Sequence, residues 1–322
     1  MDAFPISIER STAHNVPDVF GLLAEHIPDA DIAARWSWMY EKNPHGRALT
    51  VVAYDARTRE AIGLASVFPR RLITEGRVFM GAIGGDAYVR PKARRRGVAT
   101  AMHRALLEYM HEEGIDVMFG PPEADNLRAL ERAGSRAITT VRRYVRPGWV
   151  HAALRPLSRL RPQQAVRLEP IEKDDRRVDA VFERSLEPAF VSVVRDASFF
   201  RWRYLENPSL VQPAFVVTHD RRPMGICALE RKDKRVAIVD LMAPADVYGQ
   251  VLAAALGAFD ATSFVVQINE QGPFVDDVVR LGLWPREGKP FQILATTNCP
   301  ANAFNGSRWY YTWGDGDLDR VL

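Results

Sequence analysis

"RPKARRRGVAT", Arg90 to Thr100, places four cations in five positions (Lys92, Arg94, Arg95 and Arg96) directly before a glycine and a run of small residues. Its neighbours give it meaning. Upstream, "RVFMGAIGGDAYV" (Arg77 to Val89) reads as a strand, with a bulge expected at Gly84-Gly85 and a stop at Pro91. Downstream, Gly97 opens a helix running to about Glu113. Val98, Met102, Ala105 and Tyr109 share one face of it, and Gly114 ends it. "IDVMFG" (Ile115 to Gly120) then reads as a second buried strand. The first turn of such a helix carries N–H groups without helical partners and the positive end of the dipole. Gly97 and Ala99 let an anion approach the backbone closely. The dipole contributes only ~0.3–1 kcal/mol, whereas N–H bonds to a charged group contribute ~1.5–3 kcal/mol each. A pyrophosphate is the ligand that suits this geometry.

Neither a Walker loop nor a dinucleotide Gly-x-Gly-x-x-Gly is present. What stands here is Arg94-x-x-Gly97-x-Ala99 after "YVRP". This resembles the coenzyme A pyrophosphate loop of the GNAT superfamily of N-acetyltransferases, Gln/Arg-x-x-Gly-x-Gly/Ala after a strand ending in Val-x-Pro. The resemblance covers the order of elements from about residue 6 to 146. It implies a mixed α/β fold whose sheet is splayed between its fourth and fifth strands, with acetyl-CoA as co-substrate in the gap. Pantetheine would follow the backbone of Asp86, Ala87, Tyr88 and Val89. The pyrophosphate would meet the N–H groups of Arg95, Arg96, Gly97, Val98, Ala99 and Thr100, with Arg94 and Asn126 completing the coenzyme set.

A repeat runs through the chain. "WSWMYEKNP" (Trp36 to Pro44) and "FRWRYLENP" (Phe200 to Pro208) share aromatic-x-Trp-x-Tyr-x-x-Asn-Pro. In each, "LTVVAYD"/"AFVVTHD" and then "AIGLASV"/"PMGICALE" follow as strand-like runs. The aromatics read as helix-borne core, and each helix ends before Asn-Pro. Two copies of one fold follow: a GNAT-like domain with the coenzyme loop at 1–147, a basic linker at 148–164, a second GNAT-like domain at 165–300 and an aromatic, acidic tail at 301–322. At the matching place the second copy has "VAIVDLMAPADVYGQ" (Val236 to Gln250), with no arginine run, no Gly-x-Ala, and Asp246 where a phosphate would sit. The chain therefore resembles tandem GNAT proteins with one active and one degenerate half.

Acetyl transfer needs a neutral amine. A lysine-like amine of pKa ~10.4 is neutral about 0.04% of the time at pH 7, a cost of ~4.6 kcal/mol, whereas an amine of pKa near 8 costs ~1.4 kcal/mol. Asp86 is the first candidate base, because a carboxylate in "AIGGDAYV" asks for a reason; capping the bulge or facing solvent is the equal alternative. Glu123, in "FGPPEADN", is the second, against a plain loop role. Many GNAT enzymes carry a general-acid tyrosine on the helix after this strand, but "NLRALERAG" (Asn126 to Gly134) has none. Tyr144 is the substitute, with core packing as its alternative. His103 reads as a surface residue. The tail "RWYYTWGDGDLD" (Arg308 to Asp319) offers aromatics and carboxylates suited to a sugar, or else docks on the body.

The whole chain narrows the classes. Its 322 residues are 47% hydrophobic and 26% charged, with a net charge of +3. That excludes a generally cationic nucleic-acid binder. Cys227 and Cys299 stand in no metal spacing, so no metal is expected, and a reducing cytoplasm is the natural setting. No signal peptide or membrane span is read, and a homodimer is left open. The expected function is acetyl transfer from acetyl-CoA to the amine of a small molecule, an amino sugar among the candidates. The alternatives are a non-catalytic acyl-CoA-binding or regulatory module and a protein-lysine acetyltransferase.

Overall fold

The computed structural model describes residues 5–150, 166–209 and 212–317. The basic linker expected at 148–164 lies, from 151 on, outside the described residues. Two compact units divide the chain. The first comprises Met1–Leu72, Phe79–Ile138 and Pro290–Phe304; the second comprises Ile73–Val78, Thr139–Lys289 and Asn305–Leu322.

The first unit runs β1 (Ile6–Arg10), α1 (Val16–His26), α2 (Ile32–Arg35), a π-helix (Trp36–Glu41), β2 (Leu49–Asp55), β3 (Ala61–Thr74), β4 (Arg77–Val89), α3 (Val98–Glu112), β5 (Val117–Gly120) and α4 (Ala124–Ala133). The strands lie in the order β1-β2-β3-β4-β5. β1/β2 and β2/β3 are antiparallel, β4/β5 is parallel, and residues 292–295 of a later strand pair antiparallel with β5. Val98, Met102, Leu106 and Met110 of α3 bury their shared stripe against Val51, Ala53 and Ala65 of β2 and β3. This is the mixed α/β architecture that the sequence predicts.

The second unit runs β6 (Arg136–Pro147), β7 (Val166–Pro170), α5 (Arg176–Arg184), β8 (Val191–Val193), α6 (Ala197–Phe200), a π-helix (Arg201–Leu205), β9 (Ala214–His219), β10 (Arg222–Lys232), β11 (Arg235–Met242), α7 (Tyr248–Gly257), β12 (Ser263–Asn269), α8 (Val275–Arg280), β13 (Trp284–Ala295) and β14 (Trp309–Tyr310). Its strand order is β6-β12-β11-β10-β9-β7. β11/β12 is parallel, while β12/β6, β10/β11 and β9/β10 are antiparallel.

The sequence repeat has one local geometry in both units. Asp31 and Asp196 each cap a short helix by accepting an N–H three residues on, from Ala34 and Phe199. Each helix then widens into a π-helix over its aromatics, closed by Lys42 N to Ser37 O and by Glu206 N to Arg201 O. Asn43 and Asn207 end it by accepting the N–H of His45 and Ser209, two residues on. Trp38, Tyr40, Trp202 and Tyr204 are buried.

Candidate functional site

β4 and β5 are paired only where Gly81, Ala82 and Ile83 face Val117, Met118 and Phe119. β5 stops at Gly120, whose φ is +133°, while β4 runs on through residues 84–89. The expected splay lies there. Along this free stretch Ala87 and Val89 pack toward α3, whereas Asp86 and Tyr88 meet α1 and α2. Within this stretch Asp86 has φ +48°.

After β4 the chain makes a single turn, Pro91–Ala93, passes Arg95 at φ +61° and reaches Gly97 at φ +84°, the residue before α3. Ala93 and Val98 are buried and anchor the two ends of the loop. A Cβ on Gly97 would meet nothing within 4 Å, so the backbone there faces open space. Inside α3 the first-turn N–H groups of Val98, Ala99 and Thr100 have no carbonyl to reach.

The cations sort into different tasks. Lys92 pairs with Glu60 at 2.5 Å, and Arg90 pairs with Glu25 at 2.6 Å and with Glu60 at 2.8 Å. Arg94 donates to Val89 O at 2.9 Å and lies 5.9 Å from the centre of the Tyr88 ring. Lys92 and Arg94 thus fasten the loop to its surroundings. Arg95 and Arg96 are exposed beside the N-terminus of α3.

Asp86 is neither solvent-facing nor uncommitted. It is buried; Arg35 donates to both its oxygens (Nε to Oδ2 at 3.1 Å, Nη2 to Oδ1 at 2.9 Å), and the Tyr40 hydroxyl donates to Oδ2 at 2.7 Å. Burial, reinforced by the Asp86 charge, pushes the Tyr40 phenol well above its ordinary range. The second unit repeats this motif without the loop. Tyr204 donates to Asp240 at 2.9 Å, and Asp240 is ion-paired to Arg195 at 3.3 Å. A Tyr–Asp–Arg cluster is thus present in both units, and in the first both Asp86 oxygens are engaged by it.

Glu123 is exposed and precedes α4. No tyrosine lies on α4. Tyr144 sits in the core of the second unit beside Val217, Leu241 and Val266, and burial raises its phenol pKa. The structure therefore gives it the packing role. His103 corrects the surface reading: α4 covers it, it is 3% exposed, and its Nε2 lies 2.8 Å from Asn126 Oδ1. That contact ties Asn126, at the start of α4, to the helix that carries the loop. Burial lowers the His103 pKa, so the ring is neutral at pH 7.

The tail takes the docking alternative. Trp309, Tyr310, Tyr311 and Trp313 are buried and present no platform to a sugar. Asp315 is fully buried and pairs with Arg195 at 2.6 Å. In the second unit β11 and β12 pair only over 235–238 and 263–266, and β11 runs on to Met242. The tail bridges their separated ends. The Tyr310 hydroxyl donates to Leu241 O, and Asn269 Nδ2 donates to Gly306 O and Trp309 O. Tyr248 and Phe274 stack at 3.8 Å, with Tyr310 edge-on to both.

Residues 7–132 match the family described as Acetyltransferase (GNAT) domain. The fold is similar to solved structures at low identity. A conserved protein of unknown function from Enterococcus faecalis V583 matches with TM-score 0.70 and 12% identity over 90% of this chain and 72% of that one. A GCN5-related N-acetyltransferase from Anabaena variabilis gives 0.67 and 14%, over 89% and 72%. The Saccharomyces cerevisiae N-myristoyltransferase solved with myristoyl-CoA gives 0.55 and 12%, over 89% and 82%. No curated protein sequence matches the chain. No helix among the described residues is long and apolar enough to cross a membrane.

Proposed function

We propose that the chain is an N-acetyltransferase of tandem GNAT type, whose first unit uses acetyl-CoA and whose second keeps the fold without the coenzyme. The observation that carries it is the left-handed Gly97 opening α3 beside the end of β4 that β5 leaves unpaired. Diphosphate oxygens would be held by N–H groups from Arg95 to Thr100, with Arg95 and Arg96 balancing their charge. Pantetheine would lie along residues 86–89. An amine attacks the thioester carbonyl, and a main-chain N–H near Ala87 to Val89 meets the oxyanion. In the second unit the corresponding cleft is filled by Tyr310 and its neighbours, which supports the reading of that unit as coenzyme-free. The acceptor is proposed as a small-molecule amine. The tail no longer favours a sugar, because its aromatics are buried.

Calorimetry with coenzyme A tests the reading. One molecule should bind per chain. Gly97→Val should weaken binding about 10- to 100-fold, since a side chain at φ +84° displaces one or two charge-assisted N–H bonds of ~1.5–3 kcal/mol each. Undiminished binding by this variant would remove the loop from the reading. Coenzyme binding with no thiol release on any amine would favour a binding module over an enzyme.

A further inference from the structure

The face of β4 that looks toward α1 and α2 holds several polar groups, and nearly all are committed. Asp86 is bonded on both oxygens. Glu25 accepts from Arg90 and from the Tyr88 hydroxyl. Tyr40 donates to Asp86. The exception is His26, the last residue of α1. Its ring is half-buried and stacks on Tyr88, with centroids 5.4 Å apart and planes at 29°. Among the described residues nothing hydrogen-bonds to either of its ring nitrogens, and neither nitrogen is sealed from solvent. Tyr88 belongs to the stretch of β4 that β5 leaves unpaired. His26 therefore stands, with an open lone pair, over the strand along which the thioester is proposed to lie.

We propose that His26 is the proton acceptor for the attacking amine. The proposal rests on the acetyltransferase reading. The neutral amine nitrogen forms the N–C bond, and the carbonyl electron pair moves to oxygen. His26 takes a proton from the resulting ammonium. Collapse then breaks the C–S bond, the thiolate leaves, and it is protonated by solvent or by the proton His26 holds. The products are an amide and the free thiol of coenzyme A.

The surroundings fit this role. Burial lowers the His26 pKa below its ordinary value; the Asp86 charge raises it and the Arg35 charge lowers it. Those two ions, paired with each other, offset one another at His26. Tyr88 of β4 stacks on the ring, and Glu25, its neighbour on α1, is bonded to Tyr88 and Arg90. A neutral imidazole at pH 7 is the form that can accept a proton.

Thiol release from acetyl-CoA is measured with amines such as lysine and glucosamine, for wild type, His26→Gln and His26→Ala. His26→Gln should lower kcat about 100-fold or more, the lower end of the range for one positioned base, with the KM for acetyl-CoA unchanged. The wild-type kcat/KM, divided by the neutral fraction of the amine at each pH, should fall as pH drops below about 6.5, where an ordinary histidine protonates, with its midpoint below that value. This acid limb should be absent in His26→Gln. Added imidazole should raise the rate of His26→Ala, which a merely structural loss would not allow. A His26→Gln enzyme with wild-type kcat, or one that keeps the acid limb, overturns the proposal while leaving the acetyltransferase reading in place. Wild type that turns over no amine overturns both.

Discussion

Replacing Asp86 with alanine is expected to lower the unfolding free energy by about 3–5 kcal/mol, because Arg35 is left as an uncompensated buried charge. Arg35 and Asp86 have side chains only 6% and 4% exposed, joined at 2.9 Å. Asp86→Asn should behave similarly. It keeps the shape but removes the charge that Arg35 needs, and sets an amide donor against a guanidinium donor. The pair Arg35→Met with Asp86→Leu should be less damaging than the two single changes added together, since replacing both ions by apolar groups removes the desolvation penalty along with the attraction. Urea titration of the four proteins completes the cycle. A catalytic-base role would give a different pattern: Asp86→Asn would unfold at the wild-type midpoint, lose rate steeply at pH 7 and recover it near pH 9. That pattern would overturn the structural assignment and return Asp86 to the chemistry.

The loop was legible because its information is local. Pro91, Gly97 and the stripe beginning at Val98 fix a strand end, a left-handed residue and a helix start within ten positions. The repeat was legible for a similar reason, since aromatic spacing and Asn-Pro survive in both copies. The widening of both repeats into π-helices was not, because the same side chains serve an α-helix or a π-helix until tertiary packing selects one. Asp86 was noticed without its partner. Its cation stands 51 positions earlier, outside any local window, and in the second copy Phe199 occupies the position of Arg35 while Arg195 supplies the charge. His103 was read as exposed because the helical wheel showed one apolar stripe, and α4 adds a second covered side that only the fold reveals. His26 carried no motif; a histidine closing a helix is usually a partner for the dipole. That residues 139–147 belong to the second unit and 290–304 to the first could not be seen either. An alternating strand reads alike whichever neighbour it pairs with.

Tyr310→Ala is expected to lower stability by about 3–5 kcal/mol, the range for removing a large buried aromatic side chain. The ring is edge-on to Tyr248 and Phe274 at 6.1 and 5.4 Å, and the Arg195 guanidinium lies 5.0 Å from its centre. Its hydroxyl meets the carbonyl of Leu241, beyond the last residue of β11 that β12 pairs. Tyr310→Phe separates the two contributions. It keeps the packing and leaves one buried carbonyl short of a donor, so about 1–3 kcal/mol is expected. The second reading is by calorimetry. Emptying this cleft should not create a second coenzyme site, because the segment from Ala243 to Val247 has no glycine and carries Asp246 where the first unit has arginines. Coenzyme A should still bind one per chain, with unchanged affinity, to folded Tyr310→Ala. Two molecules per chain would mean that the side chain had been holding a working site closed. A wild-type denaturation midpoint would mean that the tail rests on the second unit without supporting it. One molecule per chain together with a lowered midpoint is the result required if protein side chains have taken over, in this unit, the space that a thioester-bearing arm fills in the other.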